Sequence, residues 1–485
     1  MQKSKPTFAI TPELPKIVSL IEKHQVVVID VPTGSGKSMC IPTEVVKTFK
    51  RVKIHISQPT RAAVIGLYEF QKNFVKTGLG WAAEGNKEYK HTDSIVYATS
   101  GHIKHSVLKC FKEGKALDWK FCDALMLDEI HTGSKDLSMI IDLWCEARKQ
   151  KVKIPKLILS TATATGITEL IERLDAVVFS STFRKTKIEI RYERMTHEEP
   201  DDEDLLHKAA YVAGDLLGET RQHGIVFCSG AGECEDMIDA IKGIVEERRY
   251  EKVFGKTINV IPCFSQCKPE EIMLAISAAP LNTIHVVCAT NVAESSLTIP
   301  DVKWVVDTMS EKRSTVRGGR FHLGVTWISK NSAEQRAGRT GRTVPNGICH
   351  RMMTKESYDK LEQIRPLEIR NSPISSEIIE LLDCGLDPCK IITELEAERL
   401  AAAKKTLVDT GCIIIERETE DSLVAEVTDC GRFVVQLPMD VYNAATLYYY
   451  MHGHKSGLQP LNMESHLFLP VAVVTLIDTY GPSPL

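Results

Sequence analysis

Apolar residues in the first half of the chain come in short continuous runs, separated by stretches at helical spacing. Val26-Val27-Val28-Ile29 is β-branched, uninterrupted and brief, the mark of a parallel strand buried on both faces. Ile17, Leu20 and Ile21 ahead of it share one helix face, and Ile41, Val45, Val46 and Phe49 behind it return at helical spacing. Further strands are predicted at Val52–Ile56, Ile95–Tyr97, Ala124–Leu127 and Leu157–Leu159, with helical stretches between them. The alternation predicts an α/β domain built on a parallel sheet. It restarts near Phe183, with strands at Ile225–Cys228, Ile258–Ile261, Ile284–Ala289 and Trp304–Val306 and a helix around Met237–Ile244. A second α/β domain is therefore expected over about 183–354. The polar run Glu198 to Asp204 reads as a solvated insertion. Beyond Tyr358 the spacing of Ile378, Leu381, Leu395, Leu400 and Leu407 is helical, and Ile413 to Val427 is hairpin-like.

A chain of 485 residues is too long for one ordinary core. Its 43% hydrophobic and 26% charged residues are those of a soluble globular protein. A formal charge of −4 excludes a uniformly basic coat but allows a basic channel, because the local field matters more than the total. The 14 cysteines include no CxxC pair, and Cys122, Cys228 and Cys288 sit in or beside apolar runs. A reducing compartment is expected, and zinc is not. Met1 to Pro6 leads into no signal-peptide core, and the apolar stretch Leu467 to Ile477 is too short to span a bilayer and contains Pro470.

Three elements change the picture from fold to chemistry. Val31-Pro32-Thr33-Gly34-Ser35-Gly36-Lys37-Ser38 lies between the first strand and a helix. The backbone N–H groups of Thr33, Gly34, Ser35 and Gly36 can turn inward onto phosphate oxygens, helped by the helix dipole. Lys37 would pair with the β- and γ-phosphates, and the Ser38 hydroxyl would ligate Mg²⁺. Val31 stands where the GxxxxGK[ST] pattern has its first glycine. Asp128-Glu129-Ile130-His131 follows the strand Ala124–Leu127. Asp128 is placed to hold the magnesium shell, with Glu129 beside it to accept a proton from the attacking water. Ser38, Asp128 and Glu129 are thus the candidate metal ligands. Adjacent acids at a strand end also serve as caps, and a lone His131 would be structural. Ser332 to Arg342 sets Arg336, Arg339 and Arg342 around two glycines, just after the strand-like Val325 to Ile328. Three arginines alone would read as a solvated helix face. With the loop and the acids in this order, they are the parts of an NTPase whose arginines arrive from a second domain.

In sequence order these motifs resemble superfamily 2 helicases of the DEAH/RNA-helicase-A (DExH) group, including its viral members. Gln58-Pro59-Thr60-Arg61-Ala62-Ala63 and Tyr97-Ala98-Thr99-Ser100-Gly101 resemble the RNA-contact motifs of the first domain, and Ser160-Thr161-Ala162-Thr163 the motif coupling hydrolysis to strand movement. Phe227-Cys228-Ser229-Gly230 with Phe264-Ser265, then Ala289 to Ile299, then Gln335 to Arg342, resemble the fourth, fifth and sixth motifs. The resemblance implies two RecA-like domains in tandem, at 1–182 and 183–354. A winged-helix-like domain at 355–437 and the start of a helical ratchet-like domain at 438–485 would follow, so that the chain is a short viral-type version or a piece of a longer one. It implies that Lys37, Asp128, Glu129 and His131 form one half of the catalytic site, and that Gln335, Arg339 and Arg342 face the γ-phosphate with the arginines as fingers. ATP, with other NTPs accepted, and Mg²⁺ are the implied cofactors. Single-stranded and duplex RNA are the implied partners, gripped at phosphates by Arg61, Thr99, Ser100, Ser265 and Thr290, with 3′-to-5′ movement. An activating protein partner and a cytoplasmic or nuclear setting, the host cytoplasm for a viral chain, complete the expectation.

The chain departs from the family in three places. Asp-Glu-Ile-His replaces Asp-Glu-Ala-His, Ser100 stands where an Asp is usual, and Phe70 and Ile276 stand where an arginine and a phenylalanine pinch the base. A DNA helicase, a translocase that does not part strands and an inactive RNA-binding scaffold are the competing readings; the intact catalytic residues oppose the last. Between the fifth and sixth motifs, Thr308 to Val325 carries Lys312, Arg313, Arg317 and Arg320 around Gly318-Gly319, the pattern of a basic hairpin. In the resembled family a hairpin here stands at the duplex junction.

Overall fold

A computed structural model describes residues 8–452 except 33, 76–77, 84–85, 162–166, 182–186, 195–202, 295–296, 298, 318–319, 342–343, 366–367, 369–371, 394, 420 and 438. The restart at Phe183 and most of the acidic run at 198–204 lie outside the described residues.

The first half contains β1 (Val26–Asp30), β2 (Ile54–Gln58), β3 (Leu79–Ala83), β4 (Asn86–Glu88) and β5 (Ile95–Thr99). The two-residue strands β6 (Phe111–Lys112) and β7 (Lys115–Ala116) pair with each other. Then come β8 (Ala124–Leu127), β9 (Lys156–Thr161) and β10 (Val177–Ser180). Eight of these form one sheet in the order β10-β1-β9-β8-β2-β5-β3-β4, parallel except for β4. The continuous apolar runs occupy its centre, where β1, β9, β8, β2 and β5 are buried almost throughout. Ile17 and Ile21 of the helix Leu14–Lys23, Ile41 and Val45 of Lys37–Thr48 and Val64 of Arg61–Lys72 pack into the same core as Val27, Ile29, Ile54 and Ile56.

The second sheet uses β11 (Ile188–Tyr192), β12 (Gly224–Phe227), β13 (Thr257–Cys263), β14 (Thr283–Ala289) and β15 (Trp304–Asp307). A hairpin of β16 (Ser310–Arg317) and β17 (Arg320–Trp327) precedes the last strand, β18 (Gly347–Arg351). The order β11-β18-β15-β12-β14-β13 is parallel throughout. The expected strands of both sheets are all present, with ends shifted by at most two residues. The hairpin strands flank Gly318-Gly319, which itself lies outside the described residues.

Within the two sheets, five of the described strands lack a legible signal: β3, β4, β10, β11 and β18. At β10, Phe179 alone is buried, and β11 is at most half-buried along its length. β10 and β11 are outermost strands, so one flank and much of their side-chain surface stay wet, and the apolar run shortens accordingly. β18 has only Ile348 and Cys349 as apolar residues and is identified by its partners β11 and β15.

Both sheets fall in one compact unit made of residues 1–103, 120–137 and 155–367; residues 104–119, 138–154 and 368–485 form another. The second unit therefore takes in two segments from within the span 1–182. In it, Lys104 pairs with Glu380 at 2.9 Å, Gly114 N–H donates to Cys384 O at 2.8 Å, and Thr393 Oγ1 donates to Asp142 at 2.8 Å. The helices Ser375–Asp383, Ala397–Asp409 and Asp429–Val435 pack together there with the hairpin β19 (Ile413–Thr419) and β20 (Ser422–Val427), and the helix Val441–His452 packs on two of them.

One glycine is required by its surroundings. Gly36, the residue before the helix Lys37–Thr48, has φ +93°, and a Cβ built on it would lie 2.5 Å from the Phe8 ring. Ile10 N–H also donates to Ser35 O at 3.1 Å, so residues 8–10 brace the outside of the loop. Gly36→Ala is expected to lower stability by about 1–3 kcal/mol. Adding Phe8→Ala should restore part of that loss in a thermal melt, because it removes the collision and leaves the left-handed strain.

Candidate active site

The strand order brings three loop ends together. β9 lies between β1 and β8, with Asp30 opposite Thr161 and Leu127 opposite Leu159. The glycine loop, Ser160-Thr161 and Asp128 therefore emerge side by side at the carboxyl edge of the sheet, where doubly wound folds place ligands.

Asp128 is the hub. It is buried, its Oδ2 accepts from Ser38 Oγ and from Gln58 Nε2 at 2.9 Å, and its Oδ1 accepts from Ser160 Oγ at 2.5 Å. Its own N–H donates to Ser57 Oγ at 3.1 Å. Glu129 N–H also donates to Asp128 Oδ1 at 3.1 Å, and a carboxylate held by four donors is fixed in direction. Ser38 and Asp128 thus meet at one point, as two ligands of one hard cation would.

Glu129 follows with φ +53°, a left-handed conformation uncommon for a residue with a side chain. The turn aims its carboxylate at Lys37: Oε1 lies 3.0 Å from Nζ, and both side chains are 3% exposed. Burial pushes this carboxyl up, but Lys37, His131 and Arg339 outweigh burial and hold it below the ordinary glutamate value. His131 Nε2 lies 3.5 Å from Glu129 Oε2, and its Nδ1 lies 3.2 Å from Thr161 Oγ1.

Residues from the second sheet complete the site. Gln335, in the helix Lys330–Ala337, places its Nε2 2.8 Å from His131 Nε2. Arg339 is buried, its Nη1 donates to Leu297 O at 2.6 Å, and its charge is felt at Glu129. Arg336 does something else. It is fully buried, with Nε 3.0 Å from Glu294 and Nη1 2.9 Å from Asp307, and its guanidinium lies 5.0 Å from the centre of the Phe227 ring. The three-arginine cluster thus divides, and Arg336 serves the interior of the second domain.

Ser35 Oγ, Gln58 Oε1, Glu129 Oε2 and Gln335 Oε1 are buried without a hydrogen-bond partner among the described residues. Native interiors seldom leave such atoms orphaned. Four at one site fit a polar ligand such as a magnesium-bound triphosphate. Thr33, Arg342, Ala162 and Thr163 lie outside the described residues. Among the described residues no group of three His, Cys, Asp or Glu side chains is arranged to hold a metal.

The expected RNA contacts take similar places on both sheets. Arg61 opens the helix Arg61–Lys72 behind its N-cap Thr60 and is exposed; Thr99 ends β5, Ser100 opens the helix Ser100–Leu108, and both are buried. Ser265 follows β13 and is exposed, and Thr290 follows β14, with its N–H donating to Cys263 O at 3.3 Å. Phe70 is 41% exposed, its ring centre 5.3 Å from that of Phe74. Ile276 lies against Gly66, one turn from Phe70, where a Cβ would meet its Cδ1 at 3.3 Å. Sequence reasoning missed Gln58 as an Asp128 partner, although it begins a quoted motif. It also missed the Phe8–Ile10 brace, which no local pattern signals.

Residues 14–171 match the DEAD/DEAH box helicase family model, and residues 207–344 match that of the helicase conserved C-terminal domain. A curated relative, the ATP-dependent RNA helicase HrpA homolog of Haemophilus influenzae, is 27% identical over 88% of this chain and 32% of its own length. ATP-dependent RNA helicase HrpA of Escherichia coli is 25% identical over 87% of this chain and again 32% of its own. The chain therefore spans about a third of the length of these relatives. The crystal structure of Escherichia coli DEAH/RHA helicase HrpB matches with a TM-score of 0.75 at 22% identity, covering 91% of this chain and 54% of that one. The fold is two RecA-like domains in tandem. Among the described residues no helix is long and apolar enough to cross a membrane.

Proposed function

We propose that this chain, a superfamily 2 DExH-type helicase by its two matched domains, couples magnesium-dependent NTP hydrolysis to 3′-to-5′ movement along single-stranded RNA and to the opening of duplexes. The observation that carries the reading is the 2.8 Å contact between Gln335 and His131, which joins the second sheet domain to the acids of the first. A site assembled from two domains changes when either domain moves, so hydrolysis and domain motion share the same atoms.

The backbone of residues 33–36 and Lys37 hold the triphosphate, and Ser38 and Asp128 hold the cation. Ser38 and Asp128 would thereby keep a Mg²⁺ beside the triphosphate, where its charge would offset the charge developing on the transferring group. Glu129, kept ionised by Lys37, accepts the proton of the attacking water. A triphosphate gives Lys37 a second anion, so nucleotide binding loosens the Lys37–Glu129 pair and frees the base. Gln335 orients His131 and senses closure, while Arg339 and Arg342 stabilise the transferring phosphoryl group. Arg61, Thr99, Ser100, Ser265 and Thr290 grip RNA phosphates, which makes binding insensitive to sequence and sensitive to salt. Residues 1–182 and 183–354 are the proposed motor domains, 355–437 a winged-helix-like domain and 438–485 the start of a ratchet-like one.

The test measures NTP hydrolysis with Mg²⁺ alone, with single-stranded RNA and with single-stranded DNA, then opening of duplexes with 3′ or 5′ tails. RNA stimulation with opening of 3′-tailed duplexes is expected. Stimulation by DNA alone would move the substrate to DNA. RNA stimulation without opening of any duplex would leave a translocase.

A further inference from the structure

The base of the basic hairpin carries a buried charge cluster that the hydrolytic site does not use. Arg336, next in sequence to Gln335, contacts Glu294 at 3.0 Å and Asp307 at 2.9 Å, and its Nη1 donates to Ser310 O at 3.2 Å. Ser310 is the first residue of β16. The next residue, Glu311, is 2% exposed, and its Oε2 lies 3.1 Å from Nη2 of Arg365. The Arg313 guanidinium lies 3.9 Å from Glu311, beyond hydrogen-bonding reach. Neither carboxylate oxygen of Glu311 makes a hydrogen bond of good geometry among the described residues. Burial pushes its carboxyl up, and Arg365 is the strongest pull in the other direction.

Two backbone bonds also anchor the hairpin. Lys312 N–H donates to Ser229 O at 3.0 Å, and Ile328 N–H donates to Met309 O at 2.9 Å. They fix the hairpin within its own domain. Arg365 is different, because it lies in the connecting segment just before the chain passes into the second compact unit at Glu368. An ionised carboxylate buried with one strong partner is costly in the absence of that partner, so Glu311 specifies where Arg365 sits.

We propose that Glu311 and Arg365 are positioning residues that tie the hairpin base to the connecting segment, so that motion of the second motor domain reaches the hairpin as strand separation. The inference rests on the functional reading above. The chain of contact is short: Gln335 meets His131 in the hydrolytic site, Arg336 beside it holds Ser310, and Glu311 beside that holds Arg365. Among the described residues neither Glu311 nor Arg365 makes an ion pair with a residue of the hydrolytic site, so removing the pair should separate the two activities.

The experiment compares Glu311→Gln, Arg365→Gln, the double variant and Arg365→Lys with the unaltered chain. Each is scored for RNA-stimulated NTP hydrolysis and for base pairs opened per NTP on a 3′-tailed RNA duplex, with hydrogen exchange of residues 310–317 as an activity-free readout. Hydrolysis should stay within about twofold while base pairs per NTP fall roughly fivefold or more in both single variants. The double variant should be no worse than either single one, because one interaction is lost only once. Arg365→Lys should recover part of the coupling and of the exchange protection. Unchanged base pairs per NTP together with unchanged exchange in Glu311→Gln and Arg365→Gln overturns the proposal. So does a parallel fall of both activities with melting temperature, which marks a purely structural pair. An unaltered chain that hydrolyses NTP on RNA yet opens no duplex overturns the helicase reading instead, and the exchange data still decide whether Glu311 holds Arg365.

Discussion

Replacing Arg339 by alanine is expected to reduce RNA-stimulated turnover by roughly 10³–10⁵, the range attributable to an arginine finger. The side chain is buried at 3% exposure, hydrogen-bonded to Leu297 O at 2.6 Å, and its charge acts on Glu129. It belongs to the second motor domain while the phosphate loop belongs to the first. Its full effect therefore requires the closed state, in which charge develops on the transferring group. An interaction stronger in the transition state than in the ground state lowers kcat and leaves KM nearly unchanged. Arg339→Lys should recover little, since an ammonium cannot reproduce the planar fork that reaches a carbonyl and a phosphate together. Loss of the Leu297 bond should cost about 1 kcal/mol of stability, which a melt separates from the catalytic loss. Wild-type kcat with weakened nucleotide affinity would make Arg339 a binding group and assign the finger elsewhere.

The second large effect is at Glu129. Glu129→Gln keeps the shape and removes the proton acceptor, so turnover should fall roughly 10²–10⁴ while nucleotide and RNA still bind. The same change removes the anion paired with Lys37 at 3.0 Å and leaves a buried ammonium facing an amide. Breaking one side of a buried pair costs about 3–5 kcal/mol. The nucleotide-free variant should therefore melt well below the parent. Added triphosphate should stabilise it by more than it stabilises the parent, because phosphate replaces the missing carboxylate. Near-parental turnover would remove Glu129 from the role of base, and equal nucleotide stabilisation in both proteins would show that Lys37 does not exchange partners.

Much of the two-domain fold and its candidate site is legible in the sequence. β1 and β8 are uninterrupted apolar strands because both faces are covered, and burial on both faces writes itself into every position. The glycine loop and the acidic pair follow those strands directly, so local sequence places them at the carboxyl edge. Edge strands such as β10 and β11 left little trace, since half of each faces water and its composition drifts toward that of loops. Arg336 and Arg339 look alike in sequence, three residues apart. Only the fold shows that one is enclosed by Glu294 and Asp307 while the other lies beneath Leu297 with its charge felt at Glu129.

The sequence by itself determined the two parallel-sheet domains, the phosphate loop, the acids and the order of the motifs, because each depends on residues close together in the chain. Tertiary structure decided which of these meet. Strand order sets Ser160 against Asp128, a left-handed turn aims Glu129 at Lys37, and Gln335 reaches His131 across 204 positions of sequence. It likewise buried Glu311 against Arg365. Such pairings depend on distance through space, and their energies arise only when burial removes water from both partners, a condition no local pattern encodes.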